Sequence, residues 1–273
     1  MTAEEIKRIA ATTRRYNFHS HTQFCDGRAP MAEMATAAFK VGMEHYAFTP
    51  HCPTAVASPC NMDYGKVDEF LVECQRLKEE YSGRMEIYSG MEIDYLSPQC
   101  GPAAEYYRSL PLDVRIGSVH FVPNQRGEYI DCDGSYERFA RNLAERFRGD
   151  IRYVVEKNFE QVTTMISLGG FDLLGHFDKI ASNAAKAAPG LEETGWYGNI
   201  IAHLFDQIEA SGLAVEVNTK AYGRDGRMFP DIRWGPEMKR RGIAPIVNSD
   251  AHYPDLIEAG RREAFGMLDS ISL

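Results

Sequence analysis

Residues 18–22 read Phe18-His19-Ser20-His21-Thr22, and the stretch continues through Gln23, Phe24 and Cys25 to Asp26-Gly27. Two histidines one residue apart fit poorly into a packed core. On a β-strand, residues i and i+2 point to the same side, so both imidazoles can reach one metal ion. The alternative is a solvated turn that happens to hold two histidines, and the rest of the chain decides between these interpretations.

The same pattern recurs along the chain, because short apolar stretches end in side chains that bind metals and helical segments follow. The predicted strands are Tyr16–His21, His45–His51, Met85–Tyr95, Val114–His120, Phe171–Asp178, Leu213–Asn218 and Ala244–His252. Proline and glycine positions and apolar spacing predict helices within 30–42, 67–81, 136–147, 151–168 and 200–208. Alternating strands and helices indicate a parallel sheet.

The position of the candidate ligands favours a barrel over an open sheet. Six of the seven predicted strands end in or near such a side chain, and barrel sites assemble at the carboxyl ends of the strands. An open doubly wound sheet would concentrate ligands at one switch point. We therefore predict an α/β fold, a seven-stranded (β/α)7 TIM-like barrel. No linker or repeat divides the chain, so one domain over residues 1–273 is predicted.

Composition limits the partners and the compartment. The net charge of −9 argues against nucleic acid, and a phosphorylated substrate would need metal ions or local basic residues to reverse the field. Residues 1–16 lack the apolar core of a signal peptide, and no apolar run approaches the roughly 18 residues of a membrane helix. The six cysteines form no Cys-x-x-Cys pair and are expected to be reduced. A cytoplasmic protein without a membrane partner is predicted.

Nine side chains near the strand ends are candidate metal ligands: His19, His21, Asp26, His51, Glu92, His120, His176, Asp250 and His252. The carboxylates could instead cap helices, and His45 and His203 are expected to be structural or solvated. Cys25 and Cys52 are interpreted as residues lining the site. Nine ligands exceed one tetrahedral site, so two or three divalent ions are predicted, with Zn, Fe or Mn suited to mixed His and carboxylate ligands. Neighbouring ions favour hydrolysis, and phosphoester hydrolysis fits best.

Six motifs, in this order, resemble the PHP (polymerase and histidinol phosphatase) superfamily. They are His19-Ser20-His21-Thr22 with Asp26-Gly27, Thr49-Pro50-His51, Gly90-Met91-Glu92, Gly117-Ser118-Val119-His120, Gly175-His176 and Ser249-Asp250-Ala251-His252. His51-Cys52-Pro53, Glu92-Ile93-Asp94-Tyr95 and Ile116–Phe121 look most like the monofunctional histidinol-phosphate phosphatases of histidine biosynthesis. Two positions depart from the family pattern: Pro50 replaces a common acidic residue, and Asn218-Thr219-Lys220-Ala221 replaces an Asn-Thr-Ser-Gly-like stretch.

The resemblance implies a distorted seven-stranded barrel with a trinuclear metal centre. Carried over by position, His19, His21, Glu92 and Asp250 would hold one ion. Glu92 would bridge to a second ion held by His120 and His252, and a third would be held by Asp26, His51 and His176.

The expected activity is hydrolysis of a small phosphate monoester, with L-histidinol phosphate as the first choice. A metal-bridging hydroxide would attack phosphorus in line. Arg224 is the preferred phosphate ligand because a guanidinium can contact two oxygens, and Lys179 is the second choice. Two alternatives stay open: another PHP-type phosphoesterase acting on nucleotides, oligonucleotides or phosphoprotein, and a non-catalytic metal-binding or regulatory protein.

Overall fold

The computed structural model describes residues 1–272. Its strands are β1 (Tyr16–Asn17), β2 (His45–Phe48), β3 (Glu86–Asp94), β4 (Val114–Ser118), β5 (Phe121–Pro123), β6 (Tyr129–Asp131), β7 (Leu173–Leu174), β8 (Ala214–Asn218) and β9 (Pro245–Asn248). Seven of them form one sheet in the order β1-β2-β3-β4-β7-β8-β9, and every pair in it is parallel. The remaining two, β5 and β6, form an antiparallel hairpin that the sequence patterns did not predict.

The two edges of the seven-stranded sheet meet, which nearly closes a barrel. Ser20 and Ala251 form an isolated parallel bridge beyond the ends of β1 and β9, and the His21 N–H donates to the Ala251 carbonyl at 2.9 Å. Elsewhere along this seam side chains replace the backbone ladder, and Asn17 Nδ2 donates to Ser249 Oγ at 2.8 Å. The prediction of a distorted seven-stranded barrel is confirmed.

Helices cover the outside of the barrel and one of its ends. They are α1 (Ala3–Thr12), α2 (Met31–Lys40), α3 (Val67–Tyr81), α4 (Glu105–Ser109), α5 (Tyr136–Arg146), α6 (Ile151–Leu168), α7 (Lys179–Ala187), α8 (Gly195–Ser211), α9 (Tyr222–Asp225), α10 (Gly235–Arg240) and α11 (Arg261–Ser270). The five predicted helices correspond to α2, α3, α5, α6 and α8. The first helix, α1, was not predicted; it begins with a capping box between Thr2 and Glu5.

Apolar side chains fill the amino-terminal part of the barrel. Ile6 of α1 is fully buried in a cluster with Tyr16, Phe18, Ala47, Val114, Ile116, Leu173, Ala214 and Ile246. Burying one such large aliphatic or aromatic side chain contributes about 1.5–3 kcal/mol. Because α1 and this cluster occupy the amino end, the open end of the barrel is the carboxyl end, where the candidate ligands lie.

The sequence also led us to expect reduced cysteines and no membrane-spanning helix. All six cysteines are free thiols, as predicted for reduced cysteines, and three of them are buried. Within residues 1–272, no helix combines the length and the apolar character that crossing a membrane requires.

Candidate metal centre

The nine predicted ligands converge at the carboxyl end of the barrel. Most strands end two or three residues before their ligand: His19 follows β1, His51 follows β2, His120 follows β4, His176 follows β7 and Asp250 follows β9. Glu92 differs because it lies within β3. Asp250 shows why β9 stops early, since its φ of 50° is a left-handed conformation that a strand cannot contain.

Glu92 lies at the centre of the cluster. Its side chain is buried, and five imidazoles surround its two oxygens. Oε2 faces His19 Nε2, His51 Nδ1 and His21 Nε2 at 3.2, 3.1 and 3.5 Å. Oε1 faces His176 Nε2 and His120 Nε2 at 2.8 and 3.4 Å. The two oxygens therefore face different sets of histidines, which is the arrangement that a bridging carboxylate needs.

A second group surrounds Asp26 at the outer side of the cluster. Asp26 Oδ1 lies 3.2 Å from His252 Nε2, 3.5 Å from His21 Nδ1 and 3.8 Å from His51 Nε2. The backbone beside Asp26 is tightly packed, because a Cβ on Gly27 would lie 2.2 Å from the Thr22 nitrogen. Only glycine fits at position 27, so this glycine allows the loop to hold Asp26 against the histidines.

The structure places two of these residues, His176 and His252, beside other neighbours than the grouping implied by the resemblance gives them. The His176 ring lies 5.0 Å from the His120 ring, whereas the His252 ring stacks on His21 at 4.0 Å. The order of the strands explains the exchange. Because β7 pairs with β4, His176 lies beside His120, and because β9 meets β1, His252 lies beside His21. His176 therefore belongs with Glu92 and His120, and His252 belongs with Asp26 and His51.

The ligand atoms themselves indicate that cations fit this site. Among the described residues, Asp26 Oδ1, His51 Nδ1, Glu92 Oε2 and His120 Nε2 are buried and have no hydrogen-bond partner. Buried polar atoms are normally paired, and these four all face other ligand-type atoms. Three sets of ligand atoms lie close enough together to hold an ion: one of His21, Asp26, His51 and His252, one of His19, His21 and Asp250, and one of His51, Glu92 and His120. The nitrogen and oxygen donor set suits divalent metals.

Buried carboxylates outside the predicted set orient the histidines. Glu216 of β8 is fully buried, with Oε1 2.6 Å from His19 Nδ1 and Oε2 accepting the His176 backbone N–H at 3.0 Å. Asp94 Oδ1 lies 2.9 Å from His120 Nδ1. Such contacts set the tautomer and direction of a metal-binding imidazole. Neither role was predicted from the sequence, although a glutamate inside a buried strand was a usable signal.

The charges in the cluster stabilise one another. Burial acts to raise the pKa of Glu92, but His19, His51 and His120 outweigh it and hold that pKa well below its ordinary value. Burial likewise acts to lower the pKa of His19, yet Glu216, Glu92 and Asp250 raise it well above the ordinary value. Glu92 is therefore an ionised carboxylate, the form that binds metal.

A cleft of about 530 Å³ opens beside the ligands and holds the basic residues predicted to contact phosphate. Lys220 Nζ lies 3.0 Å from His252 Nε2 and 3.4 Å from Asp250 Oδ1. Lys179 Nζ lies 2.9 Å from Asp133 Oδ2. Arg224 lines the same cleft, but its side chain is 79% exposed and pairs with Asp225 at 2.8 Å. Lys220 is thus the basic residue in direct contact with the ligand cluster.

The other side chains considered from the sequence lie around the centre or away from it. Cys25 Sγ is 3.4 Å from His21 Nδ1, and Cys52 Sγ accepts the Asp94 N–H at 3.3 Å, so both line the site. His45 bonds to the Tyr88 hydroxyl at 2.9 Å, and His203 is exposed on α8. Neither histidine joins the cluster.

The PHP domain model matches residues 17–220, which is more than half of the chain and includes seven of the nine ligand positions. This chain belongs to the PHP family. The matched segment ends at Lys220, and Asp250 and His252 lie beyond it.

Relatives of this PHP protein include proteins named as phosphatases. A probable histidinol-phosphatase from Deinococcus radiodurans is 27% identical over 249 residues, covering 86% of this chain and 85% of the relative. The histidinol-phosphatase of Bacillus subtilis is 24% identical over 251 residues, covering 86% and 92%.

Solved structures share the fold. The putative histidinol phosphatase of Listeria monocytogenes superposes with a TM-score of 0.78 at 18% identity, over 91% of this chain and 99% of that one. The histidinol phosphate phosphatase of Lactococcus lactis, solved with zinc, L-histidinol and phosphate, gives 0.71 at 18% identity, over 93% and 92%.

Proposed function

We propose that this PHP protein is a metal-dependent phosphomonoesterase whose substrate is L-histidinol phosphate, which it converts to L-histidinol and phosphate. The observation that carries the proposal is the convergence of nine ligand-type side chains, four of them with an unpaired buried ligand atom, beside a cleft lined by three lysines. The names of the Deinococcus and Bacillus relatives support the choice of substrate.

The proposed centre holds two or three divalent ions of Zn, Fe or Mn. Its ligand groups are His19, His21, Glu92 and Asp250 for one ion, Glu92, His120 and His176 for a second, and Asp26, His51 and His252 for a third. Bound ions of this kind supply Lewis acidity, activate water and offset phosphate charge. Glu92 would be a ligand shared by two ions, and Glu216 and Asp94 keep the histidines in the ligating orientation.

Lysines on the cleft side of the centre bind the substrate phosphate. Lys220, 3.0 Å from His252 Nε2, contacts the phosphate oxygens that face the ions. Lys179, at the start of α7, approaches from the other wall, and Asp133 holds its ammonium in place. Together with bound ions, these charges would offset the negative field of a chain with net charge −9. Arg224, at the exposed rim of the cleft, contributes to attraction of the dianion and less to its final position.

Replacing Lys220 with alanine is expected to lower kcat/KM by about 10- to 100-fold, because a charge-assisted hydrogen bond to phosphate is lost. Metal content should stay at the wild-type value. Lys186→Ala is the matched control, since it removes the same charge from an exposed position lining the same cleft. If Arg224→Ala shows a large loss and Lys220→Ala has wild-type kinetics, Arg224 and not Lys220 binds the phosphate, and the proposed assignment is wrong.

The substrate is tested by phosphate release from a panel at equal concentrations. The panel contains L-histidinol phosphate, p-nitrophenyl phosphate, nucleoside monophosphates, a short oligonucleotide and a phosphotyrosine peptide. We expect the highest kcat/KM for L-histidinol phosphate. A higher value for a nucleotide, oligonucleotide or phosphopeptide would move the protein to another phosphoesterase activity, and the absence of turnover with every ester would contradict the proposal.

A further inference from the structure

The wall of the cleft around His120 carries carboxylates as well as lysines. The segment from β6 to α5 runs beside His120, because the Cys132 N–H donates to the His120 carbonyl at 2.9 Å. Asp131 and Asp133 flank that contact, and both line the cleft. On the other side of His120, Asp94 accepts the His120 backbone N–H at 3.0 Å and also lines the cleft.

These carboxylates differ in how many of their oxygens already have a donor. Asp131 pairs with Arg138 at 2.7 Å and also accepts the Asp133 N–H at 2.9 Å. Asp133 uses only Oδ2, 2.9 Å from Lys179 Nζ, and its Oδ1 accepts no hydrogen bond from residues 1–272. Its side chain is one-third exposed, at 33%, so this oxygen remains accessible from the cleft.

Asp94 independently indicates that a hydrogen-bond donor or cation binds at this wall of the cleft. Its side chain is 1% exposed, and its Oδ2 atom is buried without a hydrogen-bond partner among the described residues. A buried carboxylate oxygen left unpaired costs free energy unless a donor or a cation reaches it. Asp94 Oδ1 already holds His120, so Oδ2 is the free atom.

We propose that Asp133, together with Asp94 Oδ2, forms the subsite that recognises the ammonium group of an amino-alcohol phosphate. The inference rests on the proposed function and identifies the feature that selects this substrate among phosphate monoesters. In L-histidinol phosphate the amino group is on the carbon next to the ester carbon, so cation and dianion are close neighbours. The cleft has the complementary charges at the same close spacing. The Lys179 ammonium, proposed to bind the phosphate, lies directly beside the Asp133 carboxylate, proposed to bind the amino group.

The charge pattern gives the subsite a definite selectivity. An ester without an amino group leaves Asp133 Oδ1 beside the phosphate dianion without a donor, since Lys179 contacts only Oδ2, and it also leaves Asp94 Oδ2 unpaired. Both effects disfavour such an ester, so the subsite selects against phosphate monoesters that lack an ammonium group as well as favouring those that carry one.

The test compares L-histidinol phosphate with its deamino analogue, 3-(imidazol-4-yl)propyl phosphate, in the metal-loaded enzyme. Both esters carry the same phosphate and imidazole, so their ratio of kcat/KM cancels any effect of a variant on Lys179 or on the metals. Wild type should prefer the amino ester, and Asp133→Asn should reduce that preference by about 10- to 100-fold. Glu137→Gln is the control, because it removes one charge from an exposed position lining the same cleft.

A product-binding measurement gives a second readout. L-histidinol should inhibit wild type competitively, N-acetyl-L-histidinol should inhibit much more weakly, and Asp133→Asn should make the two inhibitors nearly equal. An unchanged amino-to-deamino ratio in Asp133→Asn overturns the inference while leaving the proposed function intact. Wild-type turnover of other phosphate esters without turnover of L-histidinol phosphate overturns the proposed function, and the ammonium subsite falls with it.

Discussion

Replacing Glu92 with alanine is expected to reduce phosphatase activity by on the order of 1,000-fold, equivalent to about 4 kcal/mol of transition-state stabilisation. The reason is its central position, with one oxygen facing His19, His21 and His51 and the other facing His120 and His176. Loss of the carboxylate removes a shared ligand and leaves five imidazoles, four of them buried, without the anion that compensates them. Elemental analysis of the purified variant should show the loss of more than one ion per chain.

Comparing Glu92→Ala with His176→Ala distinguishes the loss of a ligand shared by two ions from the loss of a ligand to one ion. His176 contacts only Oε1 of Glu92 and stands on the His120 side of the cluster, so its loss should weaken one ion. His203→Ala, on exposed α8, should retain wild-type metal content and activity. Equal metal loss and equal residual activity in Glu92→Ala and His176→Ala would refute the bridging role.

Replacing Glu216 with glutamine should weaken metal binding by about 10- to 100-fold, although the side chain is not itself a proposed ligand. Its carboxylate lies 2.6 Å from His19 Nδ1 and accepts the His176 N–H, so it orients residues from two ligand groups at once. Glutamine keeps the shape but loses the charge that raises the pKa of His19. Chelator competition measures the metal affinity directly.

Asp113→Asn supplies the control for this positioning role. Asp113 is a half-buried carboxylate just before β4, where it pairs with Lys78 at 2.6 Å at the opposite end of the barrel strands. Its variant should shift thermal stability without changing metal affinity. If Glu216→Gln lowers the melting temperature of the metal-free protein but binds metal as wild type does, Glu216 is a packing residue only.

The sequence was sufficient for the architecture and for the list of ligand candidates. His19 and His21 are separated by the strand period, and the other candidates each follow an apolar stretch, so the parallel barrel and its carboxyl-end site could be predicted together. Strand ends were less accurate. The structure ends β7 at Leu174 and β9 at Asn248, because the backbone must leave the ladder to turn His176 and Asp250 inward.

The division of ligands and the basic residue nearest the centre required the structure. Order along the chain says nothing about which strand ends are neighbours, so His176 and His252 could be assigned to the wrong groups until the pairing of β4 with β7 was known. Residue type alone favoured Arg224 for phosphate binding, but α9 holds Arg224 at the exposed rim, whereas Lys220, in the loop before α9, lies against His252. The hairpin of β5 and β6, which brings Asp133 to the cleft, is too short to give a periodic signal.

The most direct test of the account measures metal content and phosphate release on the same sample. Protein purified without chelator should contain two or three transition-metal ions per chain and should hydrolyse L-histidinol phosphate. Removing the ions should abolish hydrolysis, and adding back Zn, Mn or Fe should restore content and activity in parallel. One ion or none per active chain, or a chelated protein that still releases phosphate at the original rate, would contradict the account.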